Sequence, residues 1–247
     1  MRLIEIKKAD LVIFVGDTHG DLEVSQKVVG NYLNTDNKIV FLGDYVDRGP
    51  FSKANLDFLL ETKRKNPEKI YLLQGNHEGY PIIKFFPADF WESLDERDYK
   101  KYSAIVIEFP LALIVKNILA LHAVPPDLKT TKTNHIPSKE INKIKLGSKE
   151  WQQITWGDFY EEKGDYLGQD LFSGRSRFGK DYFLKIMKRF DKNILIRSHQ
   201  PDAPQFMFDD RCLTIFSSSI YARERTIAIL DFKKEIKSAK DLEIKKI

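Results

Sequence analysis

The chain has 247 residues, of which 42% are hydrophobic and 31% are charged, and its formal net charge at pH 7 is +4. This balance excludes disordered and fibrous proteins and predicts one soluble domain over residues 1–247. Cys212 is the single cysteine, so the chain can form neither an internal disulfide nor a cysteine-based zinc module. Any metal ion must therefore be bound by histidine, carboxylate or amide side chains.

The 40 basic residues only slightly outnumber the 36 acidic ones. Nucleic-acid binding needs a clustered basic surface, so no nucleic-acid partner is expected. The densest basic stretch, Lys233–Ile247, is interleaved with acidic residues and predicts a solvated terminal helix or tail. No stretch reaches the ~20 apolar residues of a transmembrane helix, and the short Leu11–Val15 run is too short for a signal peptide. We therefore expect a cytoplasmic protein without a membrane partner.

Short apolar runs alternate with polar clusters along the chain, and each run predicts a buried strand. Two helical patterns separate the first three runs, Asp21–Leu33 and Ser52–Lys65, the second with Ser52 as its N-cap. The polar, lysine-rich region Pro125–Lys149 predicts a loop. The predicted strands are Leu11–Val15, Ile39–Leu42, Ile70–Leu73, Ile118–Leu121, Ile194–Ile196 and Cys212–Phe216.

The polar clusters recur at the spacing of βαβ units. Asp17 and Asp44 are 27 residues apart, and Asp44 and Asn76 are 32 apart, which suits two consecutive units of ~30 residues each. Right-handed crossovers would bring the strand ends to one edge of a parallel sheet, where open α/β sheets bind ligands. We therefore predict an α/β fold with its active site at the carboxyl ends of the strands.

Six side chains that follow predicted strands offer carboxylate, amide and imidazole ligands. These ligands suit borderline divalent ions such as Mn, Fe, Co or Zn. They are too many for one tetrahedral ion and about right for two ions ~3.5–4 Å apart that share one carboxylate. The candidate ligands are Asp17, His19, Asp44, Asn76, His122 and His199.

Three glycine-flanked motifs carry most of these ligands, and in this order they resemble the signature of the PPP-type protein serine/threonine phosphatases, a branch of the calcineurin-like metallophosphoesterases. Later stretches extend the resemblance over roughly residues 11–221. The three motifs are Gly16-Asp17-x-His19-Gly20, Gly43-Asp44-x-Val46-Asp47-Arg48-Gly49 and Gly75-Asn76-His77-Glu78. The later stretches are Phe109-Pro110-Leu111, Leu121-His122, Trp156-Gly157-Asp158, Phe178-Gly179, Arg197-x-His199-Gln200 and Thr214-Ile215-Phe216-Ser217 with Tyr221.

The resemblance implies the calcineurin-like metallophosphoesterase fold, a central β-sandwich flanked by helices. It also implies two metal ions bridged by Asp44, with Asp17 and His19 completing the first site and the other three candidate ligands completing the second. Mn is the expected activating metal, and Fe, Zn, Co and Ni are the other candidates. A hydroxide bridging the two ions would attack phosphorus directly, without a phosphoenzyme.

The resemblance further assigns roles to residues outside the ligand set. His77 would be the general acid for the poor alkoxide leaving group, oriented by Asp47. Arg48 would bind phosphate oxygens with its planar fork of donors.

Two stretches depart from the family pattern near the expected phosphate site. The loop at residues 173–179 is shorter than in the family, so the second phosphate-binding arginine is either Arg175 or Arg177, and Arg175 is favoured. The stretch before Tyr221 also differs, and Tyr221 is expected to line the phosphate site.

Other functions remain to be separated from the phosphatase. A symmetrical hydrolase of dinucleoside polyphosphates such as diadenosine tetraphosphate resembles the chain in motifs and size and is the alternative. A nuclease or phosphodiesterase is disfavoured because no basic stripe is visible. A non-enzymatic binding module would be expected to have lost ligands or the acid, and all are present. We therefore predict a hydrolase of phosphoric monoesters acting on phosphoproteins or phosphopeptides, with any regulatory subunit left open.

Overall fold

The computed structural model describes residues 1–33, 35–128, 135–221 and 223–247. These residues form fourteen strands, six α-helices and two 3₁₀ helices, the last at Ser138–Lys143 and Ala239–Asp241. The helices are α1 (Leu22–Tyr32), α2 (Ser52–Lys65), α3 (Asp89–Ser93), α4 (Glu96–Val106), α5 (Lys149–Trp156) and α6 (Lys180–Phe190). The strands are β1 (Leu3–Ile6), β2 (Leu11–Val15), β3 (Lys38–Phe41), β4 (Ile70–Leu72), β5 (Ala112–Val115), β6 (Ile118–Leu121), β7 (Asp158–Phe159), β8 (Tyr166–Gln169), β9 (Ser176–Phe178), β10 (Ile194–Arg197), β11 (Phe206–Met207), β12 (Cys212–Thr214), β13 (Thr226–Asp231) and β14 (Glu243–Lys246).

The first sheet has five strands in the order β14-β13-β2-β3-β4. Its pairs β2–β3 and β3–β4 are parallel and are connected through α1 and α2, so both predicted βαβ units are present. Strands β13 and β14 extend the sheet on the other side of β2 in antiparallel pairs. The three parallel strands therefore end at one edge, as the spacing of the polar clusters predicts.

The second sheet has six strands in the order β1-β5-β6-β10-β12-β11, and it packs face to face with the first. Phe14 and Val40 of the first sheet share one buried apolar cluster with Leu113 and Ile196 of the second. Aliphatic side chains dominate this layer because both strand faces that supply it are shielded from water. The two sheets form the predicted central β-sandwich.

Helices cover the outer faces of both sheets. Val24 of α1, Leu56 of α2 and Tyr102 of α4 pack over the first sheet, and Trp151 of α5 and Phe183 of α6 pack over the second. A small sheet in the order β7-β9-β8 lies beside α6. None of the helices in the described part of the chain is long and apolar enough to cross a bilayer.

Two local predictions are wrong. The N-cap of α2 is Phe51, and Ser52 is the first helical residue, whose hydroxyl donates to the carbonyl of Gly49 instead (3.2 Å). The C-terminal stretch forms a 3₁₀ turn and the edge strand β14 rather than a solvated helix or tail. Its register with β13 places Ile244 opposite Ala228 and against the inner cluster, a long-range pairing that a single apolar residue among charges does not reveal.

The predicted loop over residues 125–149 is partly ordered into the core. Ile136 and Ile141 are buried in the cluster beneath α5 and α6, and Ile141 lies on the 3₁₀ helix. These isoleucines are spaced too irregularly for a strand or α-helix pattern, so the sequence predicts only a loop. Residues 129–134 lie outside the described residues.

Gly16 offers a test of the packing between the two sheets at the site. A Cβ atom at Gly16 would clash with the backbone of Ile215 and Phe216, which cannot move without parting β12 from its neighbours. We expect Gly16→Ala to lower the free energy of unfolding by about 1–3 kcal/mol, measured by urea denaturation. The control is Gly30→Ala on α1, where an added Cβ meets no atom within 4 Å. That change should raise stability by about 0.5–1 kcal/mol. Equal effects of the two variants would contradict the packing described here.

Candidate active site

The predicted metal ligands lie together at the carboxyl ends of strands from both sheets. Their side chains are buried, with no more than 3% of each residue exposed. Local sequence explains this convergence, because each ligand sits in the turn that directly follows an apolar strand. Asp17 and His19 follow β2, Asp44 follows β3, Asn76 follows β4, His122 follows β6 and His199 follows β10.

One group of ligand atoms lies between the ends of β2 and β3. His19 Nε2 is 3.6 Å from Asp17 Oδ2 and 3.6 Å from Asp44 Oδ2. The Nδ1 atom of His19 is 2.8 Å from the carbonyl oxygen of Val46. A carbonyl can only accept, so Nδ1 carries the hydrogen and the lone pair of Nε2 faces the two carboxylates.

A second group lies where the two sheets meet. His122 Nε2 is 3.4 Å from Asp44 Oδ2 and 3.1 Å from Asn76 Oδ1, and His199 Nδ1 is 2.9 Å from the same amide oxygen. The Nδ1 atom of His122 is 3.0 Å from the carbonyl oxygen of Leu42, to which it donates, so Nε2 is the nitrogen that faces the site. Asp44 therefore belongs to both groups.

These residues fit divalent metal ions. His19 Nε2 is buried and has no hydrogen-bond partner among the described residues, and such an orphaned group costs about 1–3 kcal/mol. Ligand atoms about 2.1 Å from one ion lie about 3.0–3.4 Å from each other, close to the separations in both groups. Ligand atoms within 4.8 Å of one another form two sets that share Asp44, one with His19 and His77 and the other with His122 and His199.

The charges in the site favour this interpretation. The imidazoles around Asp44 hold the pKa of its carboxyl well below its usual range, although burial acts to raise it. Burial lowers the pKa of His199, and the nearby Arg175 lowers it further. A neutral His199 beside an ionised Asp44 is the protonation state that metal ligands require.

His77 and Asp47 form a buried pair next to the ligands. His77 Nδ1 is 2.6 Å from Asp47 Oδ2, while Asp47 Oδ1 accepts a hydrogen bond from the backbone N–H of Phe90 at 2.8 Å. Asp47 is thus held on both oxygens and turns His77 Nε2 toward the site, where it lies 3.9 Å from Asp44 Oδ2. Burial lowers the pKa of His77, against the opposing effect of the two carboxylates.

Arg48 and Tyr221 lie at the opening of the site. Arg48 is exposed, and its guanidinium donates to the hydroxyl of Tyr221, which in turn donates to Asp17 Oδ2 at 3.3 Å. The backbone N–H of Arg48 is 3.2 Å from both carboxylate oxygens of Asp89. The guanidinium of Arg48 and the hydroxyl of Tyr221 therefore lie between solvent and the buried ligands, and both can donate hydrogen bonds to an anion.

The two arginines of the β8–β9 region differ in their surroundings. Arg175 Nη1 is 3.8 Å from Asp158 Oδ2, and the other oxygen of Asp158 is 3.5 Å from His199 Nε2. Arg177 instead lies 3.6 Å from Glu162. Arg175 is therefore the arginine next to the ligand groups, which supports the preference for it, and its contact with phosphate stays a prediction.

Glu78 is a site residue that the sequence-based selection missed. It is fully buried, and its carboxylate accepts hydrogen bonds from the backbone N–H groups of Asp44 (2.8 Å), Tyr45 (2.9 Å) and Gly75 (3.0 Å). Burial raises the pKa of Glu78 to about 7, and the charge of Asp44 acts in the same direction. Through these hydrogen bonds Glu78 connects the turn after β3 to the turn after β4 and orients Asp44. Its place directly after His77 in the third motif was the available signal.

Several site residues hold a strained backbone. Left-handed φ angles between 41° and 70° occur at five of them, although none is a glycine. Each such residue costs of the order of 1–3 kcal/mol, which the surrounding contacts must offset. These residues are His19, Asp44, Asp47, Arg48 and His199.

Residues 11–203 match the family model of the calcineurin-like phosphoesterases. The chain belongs to this family. A probable serine/threonine-protein phosphatase of Encephalitozoon cuniculi is 24% identical over 89% of this chain, which spans about half (49%) of that relative. The catalytic subunit of serine/threonine-protein phosphatase 6 from Drosophila melanogaster is 28% identical over 90% of this chain and 75% of its own length. These relatives confirm the resemblance to the PPP-type phosphatases.

Solved structures confirm the fold class. A protein serine/threonine phosphatase from Saccharomyces cerevisiae, described as similar to human phosphatase PP5, superposes with a TM-score of 0.80 at 19% identity, over 100% of this chain and 82% of that one. A putative diadenosine tetraphosphatase superposes with a TM-score of 0.60 at 17% identity, over 100% and 97% of the two chains. The calcineurin-like phosphoesterases use a dimetal centre, in agreement with the two ligand groups.

Metal affinity is expected to depend on pH through His122. Burial disfavours its charged form, but the carboxylates of Asp44 and Asp17 outweigh burial and raise the pKa of His122 to about 9. Below that pH, the His122 imidazole of the metal-free protein carries an additional proton, which a metal ion must displace in order to bind. The affinity for Mn²⁺ should therefore rise by about tenfold per pH unit between pH 6.5 and 8.5.

Calorimetric titration of the metal-free protein with Mn²⁺ would measure this dependence. Repeating it at one pH in buffers of different ionisation enthalpy counts the protons released, and about one is expected at pH 7.5. An affinity that does not change with pH, with no proton released, would contradict the assignment of His122 as a ligand.

Proposed function

We propose that the protein is a protein phosphatase that hydrolyses phosphoserine and phosphothreonine with two divalent metal ions, of which Mn²⁺ is the expected activator. One observation carries the proposal: two buried ligand groups share Asp44, with the His77–Asp47 pair directly beside them. The relatives described above are named serine/threonine-protein phosphatases, which supports the substrate class.

The six ligand residues would hold the two ions, with Asp44 shared between them. When bound, such ions lower the pKa of a water molecule and stabilise the charge that develops on phosphorus-bound oxygens. Arg48 is exposed at the opening and offers a planar fork that matches two phosphate oxygens. Arg175 and the hydroxyl of Tyr221 flank the ligand groups from two sides and are the proposed further phosphate contacts.

His77 would protonate the leaving alkoxide of serine or threonine. Its Nδ1–H donates to Asp47, which orients the ring and stabilises the imidazolium, so the proton on Nε2 is the one available for transfer. Because burial lowers the pKa of His77, its imidazolium is a stronger acid than an exposed one and gives up that proton more readily. As a water oxygen bonds to phosphorus and the ester P–O bond breaks, the alkoxide would take this proton and leave as the serine or threonine hydroxyl, with inorganic phosphate as the other product.

A substrate panel tests the proposed function. Purified protein with Mn²⁺ should release phosphate from phosphoserine and phosphothreonine peptides much faster than it cleaves diadenosine tetraphosphate or bis-aryl phosphodiesters. Measuring the metal content of the same sample shows whether activity follows the number of metal ions bound per protein molecule. Intact phosphopeptides alongside rapid cleavage of diadenosine tetraphosphate would replace the proposal with the dinucleoside polyphosphate hydrolase.

The role of His77 predicts a dependence on the leaving group. We expect His77→Asn to slow hydrolysis of a phosphoserine peptide by about 10²–10⁴-fold. It should slow hydrolysis of p-nitrophenyl phosphate far less, because p-nitrophenolate leaves without a proton.

His135→Asn is the matched control for this variant. His135 is exposed and precedes Ile136, whose backbone N–H donates a hydrogen bond to the carbonyl of Arg189. Arg189 lies at the carboxyl end of α6, which is the end away from the ligands. His135→Asn should change neither the rate of phosphoserine peptide hydrolysis nor that of p-nitrophenyl phosphate hydrolysis. If His77→Asn slowed both substrates equally, His77 would serve the site in some way other than as the general acid.

A further inference from the structure

An open cavity of about 320 Å³ lies beside the opening of the site. Its walls come from the start of α1, the turn before α2 and the loop after β12. Each wall continues directly from a residue at the opening or in the ligand groups. Gly20 follows His19, Phe51 lies three residues after Arg48, and Ile220 precedes Tyr221. The cavity is therefore within reach of the residues that neighbour a phosphorylated residue bound at the opening.

The cavity has an apolar wall that is open to solvent. Phe51 is 58% exposed and Ile220 is 38% exposed, and the half-buried Leu22 at the start of α1 also lines the cavity. Two large apolar side chains at the rim of one cavity, next to an active site, can bury apolar area of a substrate side chain.

The charge in the cavity is negative. Its lining includes Asp21 and Glu23 but no lysine or arginine. Asp21 is already engaged, because it caps α1 through the N–H of Val24, accepts two hydrogen bonds from Ser219, and lies 3.6 Å from Arg225.

Glu23, by contrast, is exposed and makes no hydrogen bond or ion pair within the part of the chain that the structure describes. The N-terminus of α1 contributes about half a positive charge, which only partly offsets this carboxylate. A second phosphate group would be repelled here, whereas a cation would find an unpaired partner.

We propose that this cavity binds a lysine or arginine side chain of the substrate, close to the phosphorylated residue. The inference rests on the proposed protein phosphatase function and adds a substrate preference to it. The aliphatic stem packs against Phe51 and Ile220 while the cationic head pairs with Glu23, as long basic side chains do at partly apolar surfaces. An extended peptide advances about 3.3 Å per residue. Because Ile220 adjoins Tyr221, the basic residue lies one to three positions from the phosphoserine.

A set of phosphoserine peptides tests the preference. Each peptide is otherwise neutral and carries one arginine at a position from three before to three after the phosphoserine, and matched peptides carry alanine, leucine or glutamate there. We expect one position at which arginine raises kcat/KM over alanine by about three- to tenfold, mainly through KM. The ratio should shrink as the salt concentration rises.

Variants assign that ratio to the cavity. Glu23→Gln should bring the arginine-to-alanine ratio of kcat/KM close to one. Phe51→Ala should reduce both the arginine-to-alanine ratio and the leucine-to-alanine ratio. Glu68→Gln is the matched control, because Glu68 is exposed next to the amino end of β4, opposite the site, and it should leave the ratio unchanged.

The possible outcomes separate the inference from the function on which it rests. If none of the phosphopeptides is hydrolysed, the proposed phosphatase function itself fails. The inference is overturned and the phosphatase function stands if the peptides are hydrolysed but arginine does not raise kcat/KM over alanine at any position. The same conclusion follows if leucine raises kcat/KM as much as arginine does. An arginine preference that survives Glu23→Gln also overturns it, because some other acidic group is then responsible.

Discussion

The buried carboxylate of Asp44 is the group on which the site depends. One of its oxygens accepts a hydrogen bond from the backbone N–H of His77 at 3.0 Å, and the other faces His19 and His122. A carboxylate removed from water is stable only beside compensating charge or donors, which these imidazoles, or the metal ions they would hold, provide. Asp44 also leaves no room in the turn after β4, where a Cβ at Gly75 would clash with it.

The same carboxylate connects metal binding to folding. Glu78 holds the turn that carries Asp44, and burial together with the charge of Asp44 raises the pKa of Glu78 to about 7. Four buried carboxylates, those of Asp17, Asp44, Asp47 and Glu78, and several strained residues therefore share one region with the histidines. Cations bound there would relieve the repulsion between the carboxylates, so metal binding is expected to stabilise this edge of the sandwich.

The proposed catalytic groups and the proposed recognition groups occupy different environments. The ligands, His77 and Asp47 are buried where strands from both sheets end, so their positions are set by the core. Arg48 and the residues around the adjoining cavity lie on exposed turns, whose side chains can change without disturbing the ligands. Substitutions on these exposed turns would therefore alter what the site recognises without moving the predicted ligands.

The sequence by itself determined the parallel strands and the polar side chains that meet at their ends, because each polar motif directly follows an apolar run and the signal is local. The pairing of His77 with Asp47 was expected from the resemblance to the family, and the structure brings the two side chains together. Only the tertiary structure decided the features that join distant segments. The pairing of Ile244 with β13, the three backbone contacts of Glu78, the proximity of Arg175 to the ligands and the cavity beside Phe51 are of this kind. Each depends on strand register and packing between residues far apart in the chain, which periodicity and motif spacing do not encode.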